Sequence, residues 1–315
     1  MGEHDGTKVL MDGKFVDWKD ANLHVSTHAF LYGTAVFEGV RAYWIEKENQ
    51  LNVWYLKEHC DRLDRNARMM GFDNPPSSQQ WQEWIVKLLQ ENKFKQDVYI
   101  RPIVFLGEGT VRVRPTTQRV RSLVFGFVLK KYFEHDGLKC MVSSWVRPQS
   151  SVLPPMGKVN GAYANSFLAS TEATRAGYDE AIMLNHRGLV SEGPAENFFM
   201  VRNGALITPP YSADILDGVT RGHVFELAKD LGIPSVERDI PRTELYAADE
   251  MFFCGTGVEI EPIIAIDGRR VGEGKPGPLT VKIRDAFRAS IRGEAPKYRP
   301  KLTPVYASKK AVMAR

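Results

Sequence analysis

Cysteine is scarce in this sequence, and its spacing excludes two of its usual structural roles. The chain of 315 residues has only Cys60, Cys140 and Cys254, and no CxxC pair occurs. An odd number of cysteines without that spacing argues against a disulfide framework and against a zinc cluster. We therefore expect a reducing compartment and no structural metal.

Long apolar runs and a strong charge bias are missing as well. No run of 18 apolar residues occurs, so no membrane-spanning helix is expected. The formal net charge is only +4, and part of the basic excess lies in the acid-free segment 297–315. A nucleic-acid-binding protein would need a basic face on its folded body. The N-terminus is polar and acidic, unlike a secretory signal, and we expect a cytoplasmic protein that binds neither membranes nor nucleic acid.

Several familiar signatures of enzyme chemistry are absent or lack their context. There is no Walker A sequence and no GxSxG elbow. Residues 272–277 match GxGxxG, but the chain that follows has no room for a βαβ unit, so the pattern predicts a turn that leads into a helix. His24 and His28 are four residues apart without the glutamate of HExxH, which favours structural roles over metal binding.

The remaining composition is that of an ordinary soluble protein with mixed secondary structure. Hydrophobic residues make up 43% and charged residues 25% of the chain, and the length favours two domains. The pairs Asp12-Gly13, Asn203-Gly204 and Asp267-Gly268 predict β-hairpins. Apolar residues at helical spacing predict helices over 56–70, 81–89, 165–176 and 224–231. Strands are predicted over 99–106, 121–129, 138–146, 180–184 and 197–201.

These elements predict an α/β fold of the α+β type, because strands and helices mix without a strict βαβ repeat. A polar, charged stretch over 130–137 suggests the domain junction. We expect a small N-terminal domain over 1–127, an interdomain loop over 128–137 and a larger domain with a mixed or antiparallel sheet or barrel over 138–296. The segment 297–315 is predicted to be a loosely packed basic tail.

The most informative stretch lies between Lys158 and Asn197. An enzyme that uses pyridoxal phosphate needs a lysine for the aldehyde, an acid that keeps the pyridine nitrogen protonated, and a donor near the ring oxygen. Lys158, Glu196 and Tyr163 are candidates for these roles. Residues 217–221 open a predicted helix with a glycine and a hydroxyl, a pattern suited to a phosphate. Taken singly, each of these residues also has an ordinary structural interpretation.

The chain resembles branched-chain-amino-acid aminotransferases of the D-amino-acid-aminotransferase-like (fold type IV) group of pyridoxal phosphate enzymes. The similarity runs from about residue 10 to residue 293 and rests on six blocks in family order. These blocks are Tyr32-Gly-Thr-Ala-Val-Phe-Glu-Gly-Val-Arg-Ala-Tyr43, Tyr99-Ile-Arg-Pro102, Lys158-Val-Asn-Gly-Ala-Tyr163, Ser191-Glu-Gly-Pro-Ala-Glu-Asn197, Gly218-Val-Thr-Arg221 and Cys254-Gly-Thr-Gly-Val-Glu259.

The resemblance implies a role for each matching position around the cofactor. Lys158 would form the internal aldimine and then move the proton between the substrate α-carbon and the cofactor. Glu196 would pair with the pyridine nitrogen, and Tyr163 would bond the ring oxygen. The phosphate would be held by Arg62, Gly218, Val219, Thr220 and Thr256.

The resemblance also implies the substrate residues and a homodimer or higher homo-oligomer. The substrate carboxylate would lie near Tyr99, Arg101, Thr256 and Gly257. The side-chain pocket would be lined by Phe37, Gly39, Arg41 and Tyr132, while Tyr32 and Val113 would come from the neighbouring subunit. Arg112 and Arg114 flank Val113 and would favour a second carboxylate on the substrate, or else face solvent.

The resemblance implies ping-pong transamination between L-leucine, L-isoleucine or L-valine and 2-oxoglutarate. Relatives of the same fold keep three alternatives open: a D-amino-acid aminotransferase, an (R)-selective amine transaminase and an aminodeoxychorismate lyase. A pyridoxal phosphate carrier without turnover, or a nucleic-acid-binding protein that uses Arg112 to Arg121, are rivals of other classes.

Overall fold

The computed structural model describes residues 7–129, 133 and 136–306, and these form two compact units. Unit 1 contains residues 7–129, 159–161 and 289–306, and unit 2 contains residues 133, 136–158 and 162–288. Both units combine a sheet with helices, which confirms the predicted α/β class. No helix in the described part of the chain has the length and apolar character needed to cross a membrane.

Unit 1 is built on an antiparallel sheet. Its strands, given with their bounds, are β1 (Lys8–Met11), β2 (Lys14–Asp17), β3 (Ala35–Phe37), β4 (Val40–Ile45), β5 (Gln50–Trp54), β6 (Val98–Leu106), β7 (Val120–Val128) and β16 (Leu302–Pro304). The order is β16-β5-β4-β6-β7-β1-β2, and β3 pairs with β6. The long central pair β6 and β7 stays in register from Val98 opposite Val128 to Leu106 opposite Val120.

Two amphipathic helices of unit 1 follow from the sequence pattern. They are α2 (Leu56–Met69) and α3 (Ser78–Asn92), preceded along the chain by the short α1 (His28–Tyr32). The apolar stripe of α2 is buried, and the helix ends before Gly71, which adopts a φ of 70°. A capping box between Ser77 and Gln80 starts α3 by satisfying backbone N–H groups of its first turn. Both helices predicted for this half of the chain are confirmed.

Unit 2 is built on a mixed sheet. Its strands are β8 (Leu138–Val142), β9 (Glu180–Ile182), β10 (Asn197–Arg202), β11 (Ala205–Thr208), β12 (Ser235–Glu237), β13 (Glu250–Gly255), β14 (Glu259–Ile266) and β15 (Arg269–Arg270). The order is β12-β11-β10-β13-β14-β8-β9, and β15 pairs with β14. The pairs β8–β9, β8–β14 and β11–β12 are parallel.

The helices of unit 2 are α4 (Tyr163–Arg175), α5 (Val219–Asp230) and most of α6 (Pro278–Ile291). The predicted helices around 165–176 and 224–231 are therefore confirmed, with α5 starting five residues earlier than its apolar spacing indicated. The GxGxxG segment, residues 272–277, leads directly into α6, as predicted.

The three Asx-Gly pairs all form two-residue hairpin turns. Met11 faces Lys14, Arg202 faces Ala205 and Ile266 faces Arg269. Both central residues of each turn have positive φ, the backbone that Asn, Asp and Gly adopt most readily. The predicted hairpins are confirmed.

The described part of the predicted tail is packed more tightly than expected. Strand β16 pairs with β5, and Tyr298 and Val305 are buried. No periodicity marks this short segment in the sequence, because a three-residue edge strand is too short to show one. The loose packing expected for residues 297–306 is therefore wrong, and the rest of that segment lies outside the described residues.

Candidate active site

Lys158 and Tyr163 lie together in unit 2. The Lys158 Nζ donates a hydrogen bond of 2.8 Å to the Tyr163 hydroxyl. Tyr163 is the first residue of α4, and a 3₁₀ turn over Asn160–Ala162 connects it to the lysine segment. This turn reverses the chain so that two side chains five residues apart meet. The structure thus brings together the predicted lysine and its predicted aromatic neighbour.

Glu196 is buried immediately before β10, in the same unit. Its carboxylate accepts a hydrogen bond of 3.1 Å from the Ala195 N–H. Burial, together with the nearby Glu180 carboxyl, raises the pKa of Glu196 to about 8, while Lys158 acts against the shift. Among the residues that the structure describes, no Lys, Arg or His forms an ion pair with this carboxylate. Its negative form therefore lacks an ion-pair partner in the described part of the chain, and only the charge of Lys158 acts in its favour.

A second buried carboxylate, Glu192, was missed by the sequence analysis. Its Oε1 pairs with Arg147 Nη2 at 2.6 Å, and its Oε2 accepts 2.8 Å from Asn197 Nδ2. It also accepts from the Leu216 N–H at 3.1 Å. Burial raises the pKa of Glu192 in spite of Arg147. The sequence does contain a sign of a functional role for this residue, because Glu192 stands four residues before Glu196 in the same block.

The first turn of α5 has the features of an anion site. Its N-cap residue is Gly218, which has no side chain with which to cap the helix, and N–H groups at a helix start are suited to binding an anion. A Cβ at Gly218 would lie 1.8 Å from Asn197 Oδ1, so a side chain would collide here. Asn197 also donates to the Leu216 carbonyl at 3.0 Å. Hydrogen bonding to Asn197 thus fixes the turn before α5.

The other cofactor and carboxylate positions predicted for unit 2 are also placed. Val219 and Thr220 are the first two residues of α5, and Thr220 is buried. Thr256 and Gly257 follow the end of β13, in the turn that joins it to β14.

Arg62 lies in unit 1, in a buried cluster of charged groups. Its Nε donates to Glu38 Oε1 at 2.5 Å and its Nη2 donates to Glu38 Oε2 at 2.8 Å. His59 Nδ1 lies 2.9 Å from the same Oε2. Burial alone would raise the pKa of Glu38, but Arg62 and His59 hold it well below its ordinary value. Sequence reasoning found Arg62 and missed its two partners.

The predicted substrate residues of unit 1 form an aromatic and cationic cluster. Arg101 donates to the Tyr99 hydroxyl at 3.0 Å, and its guanidinium lies 4.4 Å from the centre of the Phe37 ring. A Cβ at Gly39 would lie 2.1 Å from the Tyr99 hydroxyl, so Tyr99 can cross here only because residue 39 is glycine. Arg41, two residues after Gly39, is also buried, and it donates a hydrogen bond of 3.1 Å to the Leu129 carbonyl.

Tyr32 and Val113 are brought together by a loop that packs on α1. The Tyr32 hydroxyl donates to the Val111 carbonyl, and His28 Nε2 lies 3.2 Å from the Val113 carbonyl oxygen. The side chain of Val113 is 74% exposed. His28 therefore has hydrogen-bonding partners that explain its position. Tyr132, predicted to line the side-chain pocket, lies outside the described residues.

The groups present in unit 2 fit pyridoxal phosphate. The site offers a lysine amine next to a phenol, a buried carboxylate without an ion-pair partner among the residues that the structure describes, and a helix start at a glycine where a side chain would collide. An amine, an acid and an anion site match the aldehyde, the ring nitrogen and the phosphate of this cofactor. These groups come from three separate segments of unit 2.

Comparison with known proteins agrees with this chemistry. Residues 35–266 match the family described as amino-transferase class IV. The chain is 40% identical over 299 residues to a probable branched-chain-amino-acid aminotransferase of Aquifex aeolicus, covering 94% of this chain and 96% of the relative.

Solved structures give the same result. The branched-chain aminotransferase of Thermoproteus uzoniensis with norvaline is 43% identical, with a TM-score of 0.91 and coverage of 95% of this chain and 99% of that one. The enzyme of Thermobaculum terrenum in its PLP form is 34% identical, with a TM-score of 0.92 and coverage of 97% and 100%. These neighbours confirm the fold type and the resemblance found in the sequence. The chain belongs to the amino-transferase class IV family.

Proposed function

We propose that this protein transfers the amino group of L-leucine, L-isoleucine or L-valine to 2-oxoglutarate, with pyridoxal phosphate bound at Lys158. The observation that carries the proposal is the 2.8 Å contact between Lys158 Nζ and the Tyr163 hydroxyl, in a chain whose relatives are named branched-chain aminotransferases. Bound pyridoxal phosphate supplies a carbonyl carbon that takes up amino groups and a ring that accepts electrons from the substrate α-carbon.

Lys158 is proposed to hold the cofactor and to move the proton of the substrate α-carbon. The Tyr163 hydroxyl accepts from its amine in the structure, which orients the Nζ, and the same phenol would donate to the ring oxygen of the cofactor.

Two carboxylates are candidates for the acid that pairs with the pyridine nitrogen. Glu196 is the residue that the sequence predicts, and its burial without an ion-pair partner among the described residues supports that role. Glu192 is supported by its ion pair with Arg147 at 2.6 Å, because the arginine opposes the upward pKa shift that burial causes and so favours the negative form that would hold a protonated nitrogen. The geometry of the ion pair favours Glu192. The variants Glu192→Gln and Glu196→Gln discriminate between them, since only one should abolish turnover while retaining bound cofactor.

The phosphate and the substrate are proposed to bind at the positions given by the family blocks. Arg62 and the first turn of α5, with Gly218, Val219, Thr220 and Thr256, would hold the phosphate. Tyr99, Arg101 and Gly257 would hold carboxylate groups, and Phe37, Gly39, Arg41 and Tyr132 would line the side-chain pocket. Arg101 stacks on Phe37, so a cation and an apolar wall adjoin, which suits both glutamate and branched aliphatic side chains.

We further propose a homodimer in the cytoplasm. The surface around α1 and its loop exposes large apolar side chains, with Phe30 at 74%, Val111 at 67% and Val113 at 74% exposure. Exposed apolar side chains in such number are typical of an interface. The described cysteines are free and buried, which accords with a reducing compartment. Tyr32 and Val113 would then complete the site of the second subunit.

The experiment that tests the function is a half-reaction followed in the visible spectrum. The purified holoprotein is mixed with L-leucine without any keto acid, and then with D-leucine or an (R)-amine in separate samples. Loss of the cofactor band with L-leucine and its return with 2-oxoglutarate is expected. A band that responds only to D-leucine or the amine would overturn the substrate assignment, and a protein that stays colourless with added cofactor would overturn the function.

The control for chemistry is Lys158→Ala, and the control for assembly is subunit mixing. Lys158→Ala should bind cofactor without turnover, and sustained turnover by this variant would contradict the role of Lys158. For the dimer, Lys158→Ala is co-refolded with Val113→Glu, each inactive alone. If Val113 acts in the neighbouring site, mixed dimers regain one intact site and activity returns. No recovery, in a sample shown to contain mixed dimers, would contradict the shared site.

A further inference from the structure

Glu38, His59 and Arg62 form a cluster of ionisable groups that the chemistry above does not use fully. The side chains of all three are at least 95% buried. Glu38 lies between β3 and β4, while His59 and Arg62 are three residues apart on α2 and so share one face of that helix. The cluster therefore links a strand connection of unit 1 to the helix that carries Arg62.

The geometry of the cluster fixes the orientation of the guanidinium. The contacts of 2.5 Å and 2.8 Å join two nitrogens of Arg62 to the two oxygens of Glu38. A bidentate pair of this kind fixes the guanidinium plane as well as its position. His59 and the Gly39 N–H, at 2.9 Å and 3.2 Å from Glu38 Oε2, hold the carboxylate in turn. Glu38 has little freedom to move, and Arg62 has little freedom to rotate.

Stability alone does not account for this arrangement. Burying an ion pair costs desolvation energy, and well-packed apolar residues of similar size often stabilise a protein as well or better. A buried pair is useful, however, when one member must be presented to a ligand in a fixed orientation. The direction of the pKa of Glu38, well below its ordinary value because Arg62 and His59 outweigh burial, means that the carboxylate stays negative throughout the neutral range.

We propose that Glu38 and His59 are positioning residues that hold the Arg62 guanidinium for the phosphate group of the cofactor. This inference rests on the proposed function, because it requires that Arg62 meets that phosphate. Glu38 acts through Arg62 and has no contact of its own with the ligand. Its removal should therefore weaken binding of the phosphate and leave binding of the rest of the cofactor unchanged.

The test compares pyridoxal phosphate with pyridoxal, which lacks the phosphate. Dissociation constants of both are measured by absorbance titration of the apoprotein for wild type and Glu38→Gln. We expect the affinity for pyridoxal phosphate to fall about tenfold, the effect of a lost charge-assisted hydrogen bond, and the affinity for pyridoxal to stay unchanged. Glu58→Gln is the matched control, since Glu58 lies on α2 and pairs with Lys301 at 2.7 Å. A variant Glu38→Gln that retains the wild-type preference for the phosphate would overturn the inference.

A double-mutant cycle separates positioning from general damage to the fold. Arg62→Lys keeps the charge and loses the fork, so we expect it to lower phosphate preference by itself. Glu38→Gln should then have no further effect in the Arg62→Lys background, because its action passes through Arg62. Additive losses would overturn the inference. If Glu38→Gln does not fold, His59→Gln replaces it in the cycle, with about a threefold loss expected from a neutral hydrogen bond.

Failure of the proposed function gives a different result from failure of this inference. If wild type binds pyridoxal phosphate no better than pyridoxal, Arg62 does not meet a phosphate and both proposals fall. If wild type prefers the phosphate but Glu38→Gln and His59→Gln do so equally, only the positioning role is lost.

Discussion

Glu38 in unit 1 and Glu196 in unit 2 are both almost completely buried. Basic side chains contact Glu38, whereas an acidic side chain lies near Glu196. Arg62 and His59 contact Glu38, and its pKa lies well below the ordinary value. Glu196 has the Ala195 N–H as a donor and Glu180 as an acidic neighbour, and burial together with Glu180 raises its pKa to about 8. The same side chain is thus held negative in one unit and held neutral near pH 7 in the other.

The difference shows which of the two carboxylates has its charge balanced in the absence of a ligand. A buried carboxylate with its own cations is satisfied in the free protein and can serve as a fixed support. A buried carboxylate without a cation is costly in its negative form, and such groups cluster where a ligand provides the missing charge. Glu38 in unit 1 therefore belongs to a charge-balanced cluster, whereas Glu196 in unit 2 is an acid whose charge state a bound cation can change.

The largest expected effect comes from breaking the charge-balanced cluster. Glu38→Met leaves the buried Arg62 without its counter-ion, and this should lower the free energy of unfolding by about 3–5 kcal/mol. Glu196→Gln replaces an acid that is already neutral with an amide that can still accept from Ala195, so a change below about 1 kcal/mol is expected. Urea unfolding of the two apoproteins at pH 7 measures both. Equal losses would show that the two carboxylates do not differ in the way proposed.

A smaller effect tests whether the backbone of unit 2 at the start of α5 is also shaped to bind a ligand. Gly218→Ala would place a Cβ 1.8 Å from Asn197 Oδ1, and Asn197 cannot yield easily because Glu192 and Leu216 hold it. A loss of about 1–3 kcal/mol in unfolding free energy is expected from such overpacking, together with weaker cofactor binding. Thermal unfolding with and without cofactor measures both.

Gly222→Ala is the matched control on the same helix. A Cβ at Gly222 meets nothing within 4 Å, so alanine should stabilise α5 by up to about 1 kcal/mol through its helix propensity. If both substitutions destabilised the protein to the same extent, the collision at Gly218 would not be the cause.

Local patterns allowed much of the fold to be predicted. Asp12-Gly13 and its two counterparts specified hairpins because both turn positions need positive φ. The apolar stripe from Leu56 to Ala67 specified α2 because its period matches a buried helix face. The strand β3 and the short β16 were not predicted, because three residues carry too little periodicity, and their pairing depends on partners far away in sequence.

The residues of the candidate site also divide into those that the sequence shows and those that only the folded chain shows. Lys158 and Tyr163 were found because they stand in a block shared with a family, and Arg62 was found because the resemblance implies a phosphate-binding role at its position. Glu192 was passed over although it stands in such a block, since nothing local shows that it meets Arg147, a residue 45 positions earlier. Glu38 and His59 were missed for the same reason, because neither residue shows its partner until the chain is folded.

The pH dependence of the apoprotein gives the finest test of the comparison between the two carboxylates. The pKa of Glu196 is raised from 4.5 to about 8, so between these values the folded protein keeps a proton that the unfolded chain has lost. Its contribution to stability is therefore complete below pH 4.5 and is lost as the pH rises toward 8, at no more than about 1.4 kcal/mol per pH unit. Glu38 behaves in the opposite sense: its lowered pKa adds stability above its unfolded pKa, which is lost only under acid conditions, so it adds no slope across this window.

Urea unfolding at several pH values between 5 and 8 measures the slope, and Glu196→Gln should flatten it whereas Glu58→Gln should not. An unchanged slope in Glu196→Gln would show that another buried acid, such as Glu192, carries it. Repeating the series with cofactor bound then assigns the partner of the pyridine nitrogen. If that nitrogen pairs with Glu196, the carboxylate becomes ionised on binding and the slope due to it disappears; if the nitrogen pairs with Glu192, the slope that Glu196→Gln removes persists in the holoprotein.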